Sequence, residues 1–537
     1  MSSPPDLVYT HAALPLTDPP ASCVAVAQGR IVAVGRDEDV LPLAAPGTRV
    51  VSLNGATLLP GFHDAHCHIL GFGLSLAMVS LADARTVPDL VRLLQARADE
   101  QAAGSEWIRG RGYSQNVLAE RRHPTRHDLD AVAGGEPLVL ITHASGHAVS
   151  VNSRVLQRAN ITRETPDPAG GTIVRDEAGE PTGVLLETAV DLAYGVAPAP
   201  TQAEKVAALG NAGRAMNAMG ITSAVDATQG VSAWDSAADI PVYGEAAASG
   251  ALSVRCTLMM TLASLASLDT VPAPGELMNE TDRVRVGPAK IFTDGALTTR
   301  TAFLRAPFTG SDSLGMAVWT AEELNHMVAK VHAAGWQIAA HAIGDAAIDL
   351  CLNAYGKALA RSPRPGARHR IEHAMLLWPD QVSRMARLGI LPVYQPEFIR
   401  RLGDAYVAGL GASRAARLMP YAETQAAGLP LVFSSDLPVI RGQPLDGIAS
   451  AALRQSPSGQ TLGAGHRVSV ADALRAYTAG AAYSVFLEAD RGRIAPSQRA
   501  DFVVLNGDPL TLPPDEWAQG LSVRATVVGG DVVHGGL

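Results

Sequence analysis

The segment GFHDAHCHIL, Gly61–Leu70, places His63, Asp64, His66 and His68 in a run that otherwise reads as buried and apolar. A buried polar side chain without a partner costs stability, so this group has to be paired with something. In a strand, residues two apart share a face. Asp64, His66 and His68 then project together and Cys67 turns away. Two imidazoles set side by side form a clamp for a divalent cation. A lone His-x-His is a weak signal in a chain with 15 histidines, because such a pair also arises without function.

Further along the chain the signal strengthens. Lys290 lies in GPAKIFTDG, His341 ends IAAH, His373 ends RIEH and Asp436 ends VFSSD. Each is a titratable group at or near the C-terminal end of a segment that reads as a strand, which is where barrel active sites are assembled. Singly, each has a plain structural reading: a satisfied core histidine, a lysine with a buried stem, a capping aspartate. Together, five strand ends carrying such groups point to one site. His63 and His123 read as structural.

The elements that must position these residues follow from the pattern. GFHDAHCH, 220–228, 252–260, 285–295, 336–345, 368–376, 390–398 and 430–439 are short apolar runs, eight in all. Helical patterns such as AEELNHMVAKVHAAG (321–335) and WPDQVSRMARLG (378–389) lie between them. Eight strand–helix units predict a (β/α)8 TIM-type barrel. A doubly wound open sheet is the alternative, but no glycine-rich phosphate loop follows any strand. Residues 1–59 and 490–537 read as β at both ends, with a hairpin signal at Gln28-Gly29. They predict one small composite β-sandwich built from both ends. The barrel then occupies 60–489. About 150 residues separate its first two strands, where one unit needs about 30. The excess, 85–200, is expected to be an inserted α/β subdomain that covers the active site.

PGFHDAHCH resembles the PGFxDxHxH signature of the amidohydrolase superfamily. KIFTDGA, AAHAIGD, IEHA and SSDLPV, with VNSRVL and GVLLETA in the insert, are similar to amidohydrolase family 3, the branch that includes N-substituted formamide deformylases. The likeness runs from GRIVAVG to ADFVVLNGDPL. It implies a divalent metal centre, zinc above all, with one or two ions per chain. His66, His68 and Asp436 would hold one ion, His341 and His373 a second, and Lys290, carboxylated on Nζ, would bridge them. A carbamate brings two oxygens and a negative charge to a site crowded with cations. The other reading of Lys290 is an ion pair with Asp294, and the site then holds a single ion. The implied reaction is hydrolysis of a C–N bond in an amide or N-substituted formamide. Hydroxide generated at the metal attacks the carbonyl carbon, and Asp436 carries the proton to the leaving nitrogen. Tyr113, His143, His147 and Gln395 are the candidate substrate contacts. A deaminase or an ester or lactone hydrolase on the same barrel is the alternative. AIGDAAID after His341 offers Asp345 and no Glu, which disfavours the deaminase. A non-catalytic small-molecule-binding barrel is the remote alternative, and the complete ligand set argues against it.

Composition narrows the partners. The 537 residues are 47% hydrophobic and 18% charged, a globular balance. A net charge of −9 without a Lys/Arg run argues against nucleic acid. RRHPTRHD (121–128) reads as a solvated loop. No secretory signal and no apolar stretch of about 18 residues is evident, so no membrane partner is expected. The scattered Cys23, Cys67, Cys256 and Cys351 read as reduced thiols of a cytoplasmic protein. A small-molecule amide is the expected partner, and pairing into a homodimer is an analogy with the superfamily.

Overall fold

The eight apolar runs form one parallel sheet that curls into a nearly closed barrel. Its strands are β1 (Phe62–Cys67), β2 (Ile221–Asp226), β3 (Arg255–Thr261), β4 (Val284–Phe292), β5 (Ile338–Ala342), β6 (Arg370–His373), β7 (Leu391–Tyr394) and β8 (Val432–Phe433). The computed structural model describes residues 4–100, 106–146, 148–168, 170–227, 239–277 and 280–537. Neighbouring strands pair in parallel and in chain order from β1 to β8. Every residue of β1, β2, β6, β7 and β8 is buried.

β8 is only two residues long, shorter than the run 430–439 suggested. The seam back to β1 closes beyond its end instead. Asp436 N donates to His66 O at 2.8 Å and His68 N donates to Leu437 O at 2.7 Å. The Asp64 carboxylate accepts Ser435 N at 2.9 Å and the Ser435 hydroxyl.

The two predicted helices form with recognisable ends. Ala321–Ala333 starts at Thr320, whose side chain accepts Glu323 N while the Glu323 carboxylate accepts Thr320 N. Pro379–Leu388 carries proline in its first turn and stops at Gly389, whose φ of 66° is left-handed.

Residues from both ends of the chain share a second core in the same compact unit. One four-stranded sheet has the order 30–35, 23–27, 7–10, 49–52; the other runs 531–535, 523–528, 502–505, 57–60. Leu7, Tyr9, Val24, Val26, Leu58, Phe502, Val504 and Val527 meet in one apolar cluster. The hairpin turns at Gln28 and Gly29, both at positive φ. Gly29 is required there for a second reason: a Cβ would lie 2.9 Å from the Gly529 carbonyl oxygen.

Leu70–Ala212 is a compact unit in its own right. Its mixed six-stranded sheet runs 171–175, 181–187, 148–151, 138–143, 107–113, 79–80. Alternation along 138–143 sends Leu138 and Leu140 into one apolar cluster and Val139 and Ile141 into another. Among the described residues, no helix is long and apolar enough to cross a membrane.

Candidate metal centre

The C-terminal ends of the barrel strands bring the sequence-predicted groups together. His66 is the penultimate residue of β1, and His68 follows the strand's last residue, Cys67. Their ring centroids are 5.7 Å apart. His66 lies 5.1 Å from the His373 ring, and His373 lies 4.5 Å from His341. Asp436 Oδ1 is 3.4 Å from His66 Nε2 and 3.3 Å from His68 Nε2. Lys290 Nζ is 3.3 Å from His66 Nε2. His66, His373 and Asp436 offer three ligand atoms within 4.8 Å of one another. They come from β1, from β6 and from the segment after β8. His373 (φ 73°) and Asp436 (φ 62°) both hold left-handed backbone, which costs about 1–3 kcal/mol at a non-glycine residue and is found where function fixes geometry.

Outer contacts decide which nitrogen each imidazole turns to the centre. His66 Nδ1 is 2.5 Å from Glu372 Oε2, so Nε2 is left for the centre. His373 Nδ1 donates to Gln395 Oε1 at 2.7 Å, which again frees Nε2. His341 is reversed: Nε2 donates to Gly295 O at 3.2 Å, with Asp294 Oδ1 at 3.5 Å, which leaves Nδ1 as its candidate ligand atom. His68 Nδ1 is buried and has no hydrogen-bond partner among the described residues. Clustered imidazoles, with Nε2 of His66 and of His373 left unengaged by their outer partners, beside a carboxylate, fit a divalent cation.

Charge states agree with that fit, because metal ligands must be deprotonated. Burial, with His373 and Lys290 adding to it, holds His341 well below the usual histidine range. Burial lowers His373 to about 4, with the Asp436 carboxylate opposing part of the shift. Burial lowers the Lys290 ammonium to about 8, offset in part by Glu372 and Asp436. Burial alone would raise Asp436, but its His66, His68 and His373 neighbours bring it well below the usual carboxylate range.

The remaining candidates make the following contacts. Asp294 does not pair with Lys290. Its carboxylate accepts Ile343 N at 3.0 Å, Gly344 N at 2.8 Å and Phe303 N at 3.0 Å. Gln395 is fully buried behind His373 and donates Nε2 to Ser434 Oγ at 2.8 Å. Tyr113 lies within the Leu70–Ala212 unit, its hydroxyl 2.9 Å from His123 Nδ1 and 3.0 Å from Ser150 Oγ. The His143 ring stands 5.3 Å from that of Tyr113, and its Nδ1 is 2.7 Å from Ser145 Oγ. His147 lies outside the described residues. His63 is buried with neither ring nitrogen hydrogen-bonded among the described residues, and burial lowers it to about 3. The residues the motif reading did not single out are Arg370 and Glu372. Two charged residues two apart inside an apolar barrel strand were the available signal.

The chain matches the amidohydrolase family over residues 49–534. It is 33% identical to the protein YtcJ of Bacillus subtilis, with 91% of each chain covered. It is 30% identical to the N-substituted formamide deformylase of Arthrobacter pascens, over 98% of this chain and 97% of that one. A metal-dependent hydrolase of uncharacterised activity from Pyrococcus horikoshii superposes with a TM-score of 0.78 at 25% identity, covering 95% of this chain and 99% of that one.

Proposed function

The chain belongs to the amidohydrolase family, and from that premise we propose that it is a metal-dependent hydrolase that cleaves a C–N bond in an amide or N-substituted formamide. The observation that carries this reading is the convergence of four imidazoles, Asp436 and the Lys290 amine at one barrel rim. His66, His68 and Asp436 would hold one ion through Nε2, Nε2 and a carboxylate oxygen. His341 Nδ1 and His373 Nε2 would hold a second. This donor set suits zinc. With an ammonium lowered to about 8, Lys290 presents free amine to carbon dioxide near neutral pH, and the carbamate would lie between the two ions. When bound, the ions would supply Lewis acidity and water ionised near neutral pH.

The residues of the chain do the rest. Asp436, ionised and directed at both β1 imidazoles, accepts a proton and returns it to the leaving nitrogen. The C–N bond breaks, the carbonyl carbon gains the hydroxyl and the nitrogen gains the hydrogen. A carboxylate and an amine result. The formamide class is supported by the activity for which the Arthrobacter relative is named.

Deamination is the weaker reading. The acidic residue that follows His341 is Asp345, and its carboxylate accepts Arg305 N at 2.8 Å and Trp378 Nε1 at 2.8 Å. It is committed to holding loops.

Metal content per chain and turnover of the Asp436→Asn variant test the proposal together. Plasma mass spectrometry on protein purified without chelator should find about two zinc-like ions; one would place Lys290 outside the ligand set. Asp436→Asn should lose turnover by at least about 100-fold on N-substituted formamides and amides, read as amine release, while keeping bound metal. Wild-type protein that stays metal-free after zinc is added back would remove the reading. Near-normal turnover in the variant would remove the role of Asp436.

A further inference from the structure

Arg370 and Glu372 lie two apart on β6 and therefore share a face. That face reaches across to β1. Glu372 Oε2 meets His66 Nδ1 at 2.5 Å, and Arg370 Nη2 donates to the Ala65 carbonyl at 2.7 Å. Arg370 also grips the carboxylate from two sides, Nε to Oε1 at 2.7 Å and Nη2 to Oε2 at 2.8 Å. All three side chains are wholly buried. A buried ion pair gives little net stability, because both charges lose their hydration, and apolar residues of similar volume serve a fold as well. Its presence in the centre of a barrel therefore calls for another account.

What the pair holds is one ring. A carboxylate on Nδ1 keeps the proton there, leaves the lone pair on Nε2 and fixes the plane of the imidazole. His66 Nε2 is the atom that faces Asp436 and Lys290. The corresponding outer partner of His373 is neutral, the Gln395 amide oxygen; His341 Nε2 meets the Gly295 carbonyl at 3.2 Å with the Asp294 carboxylate farther off at 3.5 Å. His66 differs from both in having a carboxylate as its closest outer partner, at 2.5 Å.

We propose that Glu372, steadied by Arg370, is a positioning residue that locks His66 in its Nδ1-protonated tautomer and aims Nε2 at a divalent cation. The inference rests on the metal-dependent reading above. The test is zinc affinity of the full-length protein, stripped with chelator and titrated with zinc against a chromogenic competitor. Glu372→Gln should bind about 10–100-fold more weakly than wild type. Because that variant strands Arg370, the R370M/E372Q double variant, which leaves no buried charge, is measured beside it and should show the same loss. In a His66→Ala background, adding Glu372→Gln should change affinity by less than about twofold, since Glu372 acts through His66. Affinity within about twofold of wild type in the double variant would overturn the proposal, as would an undiminished effect of Glu372→Gln without His66. Failure of both variants to fold would also overturn it, by making the pair an element of the fold. Wild-type protein that binds no zinc would instead bring down the metal-dependent reading itself.

Discussion

Replacing Lys290 with methionine should stabilise the metal-free protein at neutral pH, although it removes a residue at the heart of the candidate site. Lys290 is 2% exposed, and burial lowers its ammonium to about 8. In an unfolded chain the same group titrates near 10.4. The difference corresponds to about 3 kcal/mol, at about 1.4 kcal/mol per pH unit. The sign follows from which state binds the proton first. Above about pH 10.4 the amine is neutral in both states and there is no penalty. As pH falls from there to about 8, the unfolded chain takes up its proton before the folded one, and the fold loses about 3 kcal/mol. Below about 8 the penalty is constant. Methionine has a similar length and no charge, so the variant escapes it. Urea unfolding of chelator-treated wild type and Lys290→Met, in buffer free of carbon dioxide, measures the difference. The variant should be more stable by about 3 kcal/mol at pH 7 and by close to zero at about pH 10.5. A difference that does not change with pH would refute the argument, because only the Lys290 proton distinguishes the two proteins in that range.

Three further outcomes are expected. Gln395→Leu removes the acceptor of the His373 Nδ1 proton, so zinc affinity and kcat should fall about 10–100-fold with little change in KM; a rise in KM alone would make Gln395 a substrate contact. Tyr113→Phe deletes a buried hydroxyl held between His123 and Ser150, and should lower unfolding stability by about 1–2 kcal/mol in denaturant titration. Unchanged stability would deny that the bonds matter. Gly344→Ala would set a Cβ 1.9 Å from the Phe303 carbonyl oxygen, beside a backbone N–H that Asp294 holds. Its melting point should drop by an amount equivalent to more than about 2 kcal/mol, and a wild-type melting curve would contradict the packing described.

The eight barrel strands were legible because burial on both faces leaves plain apolar runs bounded by turns, and the metal-ligand candidates because they stand at the ends of those runs. Strand alternation also placed Asp64 on the face of His66 and His68, but it could not say that Asp64 would be drawn to Ser435 and fasten the seam between β1 and β8. Alternation fails outright at His373. It would put Glu372 and His373 on opposite faces, yet Glu372 contacts His66 and the His373 ring lies 5.1 Å from the His66 ring, at a residue of left-handed φ. No residue type announces such a conformation when it is not glycine. The partnership of Glu372 with His66 joins positions 306 apart, a distance at which pattern has no reach. The Lys290–Asp294 ion pair was reasonable from proximity in sequence. Three backbone N–H groups claim that carboxylate instead, a demand that exists only once the loops are folded.

The sheet that pairs residues 57–60 with 502–505 has a consequence for how the protein is made. A ribosome emits the N-terminal strands early, at roughly 5–20 residues per second, while their partners are still untranslated. For the time it takes to synthesise the intervening segment, Leu58, Tyr9 and Val24 have no Phe502 or Val527 to cover them. The nascent chain therefore displays an apolar sheet face throughout the synthesis of the barrel, and a chaperone able to hold such a face would act during that interval. Pairing over so long a separation is also slow, since its loop-closure entropy must be met before any contact rewards it. Closure of that sheet is thus timed to follow translation of the barrel, and the candidate metal-ligand residues are all synthesised before it can close.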